Sequence, residues 1–395
     1  MVAMKCLAAF MAIPLALAHP EDTQEAIKRE MGLRNVAHAA ATRSLSECQG
    51  SAQALELRKR SAARRSAKVA ELRAQRGLTD APLSHQKRDL GSLDYYNSLS
   101  HNETAEGFSL ETPAGTLFGS NNTCALVPET TIGPYYVLGE SVRSNITEGE
   151  TGVPLHIELQ FVDMNTCAAV PELLIDVWHC NATGFYSGVP SGSLGYEGGL
   201  NTTFLRGAQI ADEEGVVAFD SLFPGHYSGR TTHFHLVVQE DPELLPNNTF
   251  TGGTTKHIGQ LYFDDSLVQA VEATAPYNTN TVAYTTWEYD GWMLEEATTD
   301  YDPFVEYVQL SENLADGLLA WITVAVNMTA DRKDHVAVAA HYYEGGGVAV
   351  VNGSMGDGPS NPCAPEPPNF TTGPCSALST LSSYTAEATA VATAA

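Results

Sequence analysis

Beyond residue 88 the chain has almost no cations. Fifteen of its 21 lysines and arginines lie in residues 1–88, leaving six for everything after, where 39 of the 47 acidic residues are found. The later part therefore carries a net charge of −33 with histidine neutral. Such a surface repels nucleic acid and anionic membranes, so neither is an expected partner. It suits a neutral or cationic small molecule better than a polyanion. No C-x-x-C pair is present, which removes the usual thiolate metal site. The one long apolar run, Cys6–Leu17, is too short to span a bilayer. No internal repeat is visible, which argues against a solenoid or propeller.

What is present begins with an export pattern. Lys5 precedes the apolar run, and Ala16-Leu17-Ala18 is a small-x-small cleavage signal, so residues 1–18 read as a signal peptide and the protein as secreted. Nine N-x-S/T sequons, at Asn102, Asn121, Asn145, Asn181, Asn201, Asn247, Asn327, Asn352 and Asn369, fit a glycosylated extracellular surface. Export permits disulfides. Cys363–Cys375 is a plausible local bridge; Cys124, Cys167 and Cys180 offer one more pair with one thiol left over, and Cys48 stands apart.

Residues 19–88 have helix-forming composition interrupted at Gly32, Gly50 and Gly77 and end on Lys87-Arg88. They are expected to form a basic helical segment that docks on the acidic remainder, either as a pro-segment cut after Arg88 or as a permanent arm. Residues 89–118 read as a linker. From 119 to 345 short β-branched runs alternate with Gly, Pro and Asn: Leu155–Val162, Leu173–Trp178, Val216–Asp220, Thr232–Val238, Gln260–Phe263 and Trp321–Val326. That spacing predicts a mainly β protein built on a β-sandwich, with one short helix near Ser266–Thr274. Residues 346–395, rich in Gly, Pro, Ser, Thr and Ala, read as a disordered tail.

The chemistry concentrates in Phe223–Val238, FPGHYSGRTTHFHLVV. Its second half predicts a strand, in which residues i and i+2 share a face. His233 and His235 would then stand side by side, roughly 7 Å apart at Cα, and two imidazoles so placed can converge on one metal. His226 and His179 are out of phase with that pair and read as neighbours. A second stretch, Leu173–Gly188, predicts a buried strand followed by the turn Asn181–Gly184, which delivers Tyr186.

Taken together, Trp178-x(5)-Gly184-x-Tyr186-Ser187-Gly188 and Pro224-Gly225-x-Tyr227-x(2)-Arg230-x(2)-His233-x-His235 resemble the intradiol ring-cleavage dioxygenases, in particular their secreted fungal members. The resemblance runs from about Ser120 to Gly345 and takes in Gly133-Pro134-Tyr135-Tyr136-Val137, Phe204-Leu205-Arg206-Gly207 and Gln260-Leu261-Tyr262-Phe263. It implies a mononuclear non-haem ferric iron, Fe(III), held by Tyr186, Tyr227, His233 and His235. Phenolates are hard anionic donors and suit that ion. It implies a catechol-type substrate and O2 as reactants, with ring opening between the two hydroxyl-bearing carbons to a cis,cis-muconate-type diacid. Tyr227 would accept a substrate proton. Arg230 would stabilise negative charge on the ring. One of Tyr135 and Tyr136 would stack on the substrate or hydrogen-bond it. The Tyr227-to-His233 loop is shorter than in many bacterial relatives, and no counterpart of a helical dimerisation region is evident, so substrate and oligomeric state stay open.

Two other readings fit parts of the chain. His233-x-His235-x(4)-Glu240 matches a fragment of a cupin metal motif. A secreted β-sandwich binding module without catalysis would also account for the strands.

Overall fold

The structure is a computed structural model and describes residues 43–78, 132–192, 194–290, 304–343 and 346–350. The expected signal peptide, the Lys87-Arg88 pair, the 89–118 linker, Cys124, Cys363, Cys375, and the sequons at Asn102, Asn121, Asn352 and Asn369 lie outside these residues. Among the described residues no helix is long and apolar enough to cross a membrane.

Eight strands form the body: β1 (Pro154–Asp163), β2 (Leu174–Trp178), β3 (Arg206–Ile210), β4 (Val216–Leu222), β5 (His233–Glu240), β6 (Thr254–Tyr262), β7 (Glu306–Gln309) and β8 (Leu318–Val326). They make two four-stranded sheets, β7-β8-β1-β4 and β3-β2-β5-β6. All neighbours are antiparallel except β8 and β1. Period-two alternation sets the faces. Leu155, Ile157, Leu159 and Phe161 of β1 point inward, as do Phe234, Leu236 and Val238 of β5, and they meet in one core between the sheets. This is the expected β-sandwich. Helix α2 (Asp265–Glu272) matches the expected short helix and buries Leu267, Val268 and Val271.

The first sheet's outer face is covered by helix α1 (Ala52–Gln75). Ser51 caps it, its hydroxyl accepting from the Ala54 amide at 3.2 Å. Gly77, at φ +68°, ends it. The helix's Ala62, Val69 and Leu72 pack on Val308, Leu310, Leu319 and Trp321. Arg65 and Arg64 reach the buried Glu158 at 2.7 and 3.0 Å, and Arg60 reaches Glu214 at 2.5 Å. Burial would raise the Glu158 pKa, but Arg65 and Arg64 outweigh it and hold the carboxylate below its ordinary value. The basic helix therefore docks as charge predicted, with an apolar stripe added.

Cys167 does not pair with Cys124 or Cys180. Its partner is Cys48, 119 residues earlier, across the junction between helical segment and sandwich. Among the described residues Cys180 is a free thiol, buried and pushed up to about 12 by that burial. A cut after Arg88 would thus leave the helix covalently attached. We expect protein cleaved at that dibasic pair to run as one species on a denaturing gel without reductant and as two with it. Release of the N-terminal fragment without reductant would contradict the bridge.

The start of the expected tail is ordered, and residues 351–395 lie outside the described residues. Gly346–Ala349 forms a strand against Ala340–Tyr343, which in turn lies parallel to Val137–Leu138. The glycine content has a local reason: a Cβ on Gly347 would lie 2.1 Å from the Leu200 carbonyl oxygen. This small three-stranded sheet and the segment Val336–Ala340 cover the outer face of the second sheet, where they pack with Tyr136, Trp178, Tyr186 and Tyr227.

Candidate metal centre

β5 supplies two imidazoles from one face. With Phe234 and Leu236 turned into the core, His233 and His235 point to the opposite side of the sheet. Register then sets their neighbours. Arg206, Trp178, His235 and Gln260 lie in one row across β3-β2-β5-β6, and His233 pairs with Tyr262 in the next. Strands about 4.8 Å apart bring such side chains into contact. The Trp178 ring lies flat on His235, with centroids 4.7 Å apart and planes 4° from parallel.

The two tyrosines arrive on loops, and each follows a glycine by two residues. Gly184 is at φ +89°, and a Cβ there would lie 2.3 Å from the His226 carbonyl oxygen. A Cβ on Gly225 would lie 2.4 Å from the Asn181 carbonyl oxygen. The loops carrying Tyr186 and Tyr227 thus pack backbone against backbone, which only glycine permits at these positions. Asn181 shapes the first loop: its Oδ1 accepts from the amides of Thr183 and Phe185 at 3.1 Å each. The side chain is buried and its amide nitrogen donates to Glu150 at 3.2 Å. Asn181 is therefore not open to a glycan on the folded chain. Asn145, Asn201 and Asn247 are exposed and Asn327 is half-buried.

The four predicted donors converge. His233 Nε2 and His235 Nε2 are 3.0 Å apart, Tyr227 Oη lies 3.1 Å from His233 Nε2, Tyr186 Oη lies 3.2 Å from His235 Nε2, and the two phenol oxygens are 3.5 Å apart. Donors bound to one metal at about 2.0–2.1 Å, at 90–120° to one another, stand roughly 2.9–3.6 Å apart. The four separations fall in that window.

The electrostatics agree. His233 Nδ1 donates to the Thr231 carbonyl at 2.7 Å, which leaves the Nε2 lone pair facing the cluster. Burial, and after it the charge on Arg230, holds the His233 ring well below its ordinary pKa; burial and then His233 do the same for His235. Both imidazoles are thus neutral, as ligands must be. Burial, then Tyr227, pushes the Tyr186 phenol well above its usual value, and burial also raises Tyr227 against the opposing pull of Arg230. Such phenols ionise only against a strong positive charge. The donor set therefore fits a hard, highly charged metal ion. His235 Nδ1 is buried without a hydrogen-bond partner, consistent with a ring held by the Trp178 stack.

Among the described residues no group of three or more His, Cys, Asp or Glu side chains is placed to hold a metal; half of the donors here are phenols. The cupin fragment does not assemble. Glu240 sits an odd number of residues from both histidines, so it faces away from them, and it pairs with Lys256 at 2.8 Å.

Arg230 is half-buried and pairs with the buried carboxylate of Asp290. Its Nε donates to both oxygens of Asp290 at 2.9 and 3.1 Å, and its Nη2 to Gln260 at 2.5 Å and to the Tyr262 hydroxyl at 3.3 Å. Burial disfavours its charge, but Asp290, then Tyr262 and Tyr227, hold it above its ordinary pKa.

The two consecutive tyrosines separate. Tyr135 is half-buried and its ring stacks on Tyr186 at 4.5 Å and 19°. Tyr136 is fully buried, tilts against Trp178 at 5.0 Å, and its hydroxyl accepts from Gln239 at 3.3 Å. It cannot meet a substrate, so Tyr135 alone stays a candidate. Tyr135 sits in a turn and Tyr136 directly ahead of the Val137–Leu138 strand, so the two rings leave the chain in different settings.

His179 and His226 are neighbours, as their phase implied. His179 bonds the Cys180 carbonyl and Ser221 and is lowered to about 3 by burial. His226 pairs with Glu272 at 2.7 Å.

Arg206 and Asp290 are the residues that sequence reasoning left without a role. Arg206 binds Ser187 and the Tyr135 carbonyl, pairs with Glu140 at 3.0 Å, and holds its guanidinium 5.9 Å from the Tyr186 ring centre. It thereby ties Tyr135 to the loop it stacks on. The quoted Phe204–Gly207 motif pointed to it. Asp290 carried no signal.

A family model described as "Dioxygenase" (Dioxygenase_C) matches residues 132–293. A solved structure, an intradiol ring-cleavage dioxygenase from Tetranychus urticae, is 30% identical over 53% of this chain and 97% of its own, with a TM-score of 0.44. Catechol 1,2-dioxygenase from Acinetobacter sp. ADP1 is 17% identical over 51% of this chain and 63% of its own, with a TM-score of 0.36. Hydroxyquinol 1,2-dioxygenase from Pseudomonas putida DLL-E4 is 17% identical over 52% and 68%, with a TM-score of 0.33. No curated protein matches the chain.

Proposed function

Because the chain belongs to the intradiol ring-cleavage dioxygenases, a family of oxidoreductases, we propose that it is a secreted member that uses one non-haem ferric iron and O2 to open the ring of a catechol-type diol, giving a cis,cis-muconate-type diacid. The observation that carries the reading is the convergence of Tyr186, Tyr227, His233 and His235 on one centre with donor separations of 3.0–3.5 Å. These four would hold the iron. When bound, a ferric ion supplies Lewis acidity for the diol and draws electron density from its ring.

The rest is the protein's own work. Tyr227 would bind the metal as a phenolate, and burial favours its protonated form, so it is the group that would take a proton from an incoming hydroxyl. Arg230 stays charged and acts on Tyr227, His233 and His235, so its field favours negative charge on a bound ring. Tyr135 presents a half-buried ring at the same centre. Secretion is supported by the N-terminal apolar run, by sequons on the exposed Asn145, Asn201 and Asn247, and by the Cys48–Cys167 bridge, which persists in oxidising compartments.

The test is an oxygen-electrode screen of purified protein over a panel of catechols, with product absorbance separating intradiol from extradiol cleavage. We expect stoichiometric O2 uptake and a muconate-type spectrum with at least one diol. An extradiol product would reject the assignment.

A further inference from the structure

Asp290 lies sixty residues from Arg230 in a polar stretch, yet it is completely buried. Its carboxylate takes the Arg230 Nε–H with both oxygens, and one of them also accepts the Thr231 amide at 2.8 Å. It therefore fixes both the arginine side chain and the backbone directly after it. Gln260 and Tyr262 hold Nη2 from the floor of the sheet; Nη1 takes part in none of these bonds. The guanidinium is thus gripped on its Nε side from one direction and on Nη2 from another.

The grip is part of a longer seam. Asn280 Nδ2 donates to the His226 carbonyl at 2.9 Å, His226 Nε2 lies 2.9 Å from the Val282 carbonyl, the Gly229 amide donates to Thr285 Oγ1 at 3.1 Å, and the Tyr284 and Thr231 hydroxyls are 3.1 Å apart. Segment 280–290 is laced to 226–231, the stretch that carries Tyr227 and Arg230. Among the described residues of the seam, Asp290 is the one that bonds the Arg230 side chain.

We propose that Asp290 is the positioning residue for Arg230: its buried carboxylate orients the guanidinium toward the diol site and supplies the counter-charge that keeps it there. The assignment rests on the proposed function only for what Arg230 does to a substrate; that Asp290 sets where Arg230 lies is independent of it. Asp290 itself does not touch the reacting groups.

The experiment uses the full chain, as loaded with iron on expression, in four forms: parent, Asp290→Asn, Arg230→Ala and the double variant. The expected result for D290N is parental iron content and visible absorption, with kcat on a turned-over catechol lower by on the order of 10²-fold, the loss that misplacement by about 1 Å produces. The double variant should be no slower than R230A, because a residue acting only through Arg230 has nothing left to lose. A crystal structure of D290N should show the guanidinium displaced and the four donors in place. Parental kcat in D290N, losses that multiply in the double variant, loss of iron in D290N, or an unmoved Arg230 would each overturn the proposal. Where D290N does not fold, Asp290→Glu decides, since it keeps the charge and shifts the carboxylate by one methylene. Lower kcat with iron retained supports the assignment, and parental kcat rejects it. If the parent opens no diol, the functional reading has failed, and the D290N crystal structure alone settles whether Asp290 positions Arg230.

Discussion

Tyr186→Phe removes one oxygen atom and is expected to cost the protein its iron and its colour. The phenol oxygen stands 3.2 Å from His235 Nε2 and 3.5 Å from the Tyr227 hydroxyl, so the change deletes one of the four converging donors. The ring of Phe keeps the stack with Tyr135 and the neighbouring Arg206 guanidinium, so the fold should survive. His235→Ala should give the same spectrum for a different reason, loss of a neutral nitrogen from a row fixed by strand register. Weakening an outer-shell partner typically lowers metal affinity ~10–100-fold, and deleting a donor should exceed that. Metal analysis and visible absorption of the purified variants check it. Full iron content in either variant would remove that residue from the ligand set.

Arg230→Ala should behave in the opposite way. The guanidinium is not among the four converging donors, so iron and colour should remain. Turnover should fall by roughly 10²–10³, about 2.7–4 kcal/mol, as for the loss of one preorganised charge-stabilising donor. The side effect to control for is the buried Asp290 left without its arginine, since an unpaired buried charge destabilises by about 3–5 kcal/mol. A denaturation curve measures that separately. Unchanged kcat would discard the role given to Arg230.

The candidate metal centre was legible in part because the histidine signal is local. His233 and His235 needed only the two-residue period of a strand; Tyr186 and Tyr227 were placed by the resemblance, and the glycine two positions before each lets the two loops touch. The core strands were legible for the same reason, with boundaries extended by one to six residues at some ends. Strand β3 was missed, since Arg206 and Gly207 lack β-branched character and are held by pairing to Trp178 and Val177. Strand β7, four residues long, was missed as well.

What sequence could not reach are the pairings across distance. Cys48 and Cys167 are 119 residues apart, and no spacing rule joins them. Among 39 acidic residues beyond residue 88, nothing singled out Asp290 as the buried partner of Arg230. Asn181 satisfied a sequon and a turn at once, and the turn buried it. Tyr135 and Tyr136 could be told apart only once the segment's two sides were known, one toward Tyr186 and the other toward Trp178.

The most direct test of the whole account is the iron content and visible spectrum of the parent protein purified in air. Phenolate donors on a ferric ion should give a reddish protein with close to one iron per chain, and its absorption should change when a catechol is added without O2. A colourless protein that contains no iron and takes up none, with the 186, 227, 233 and 235 side chains intact, would contradict it.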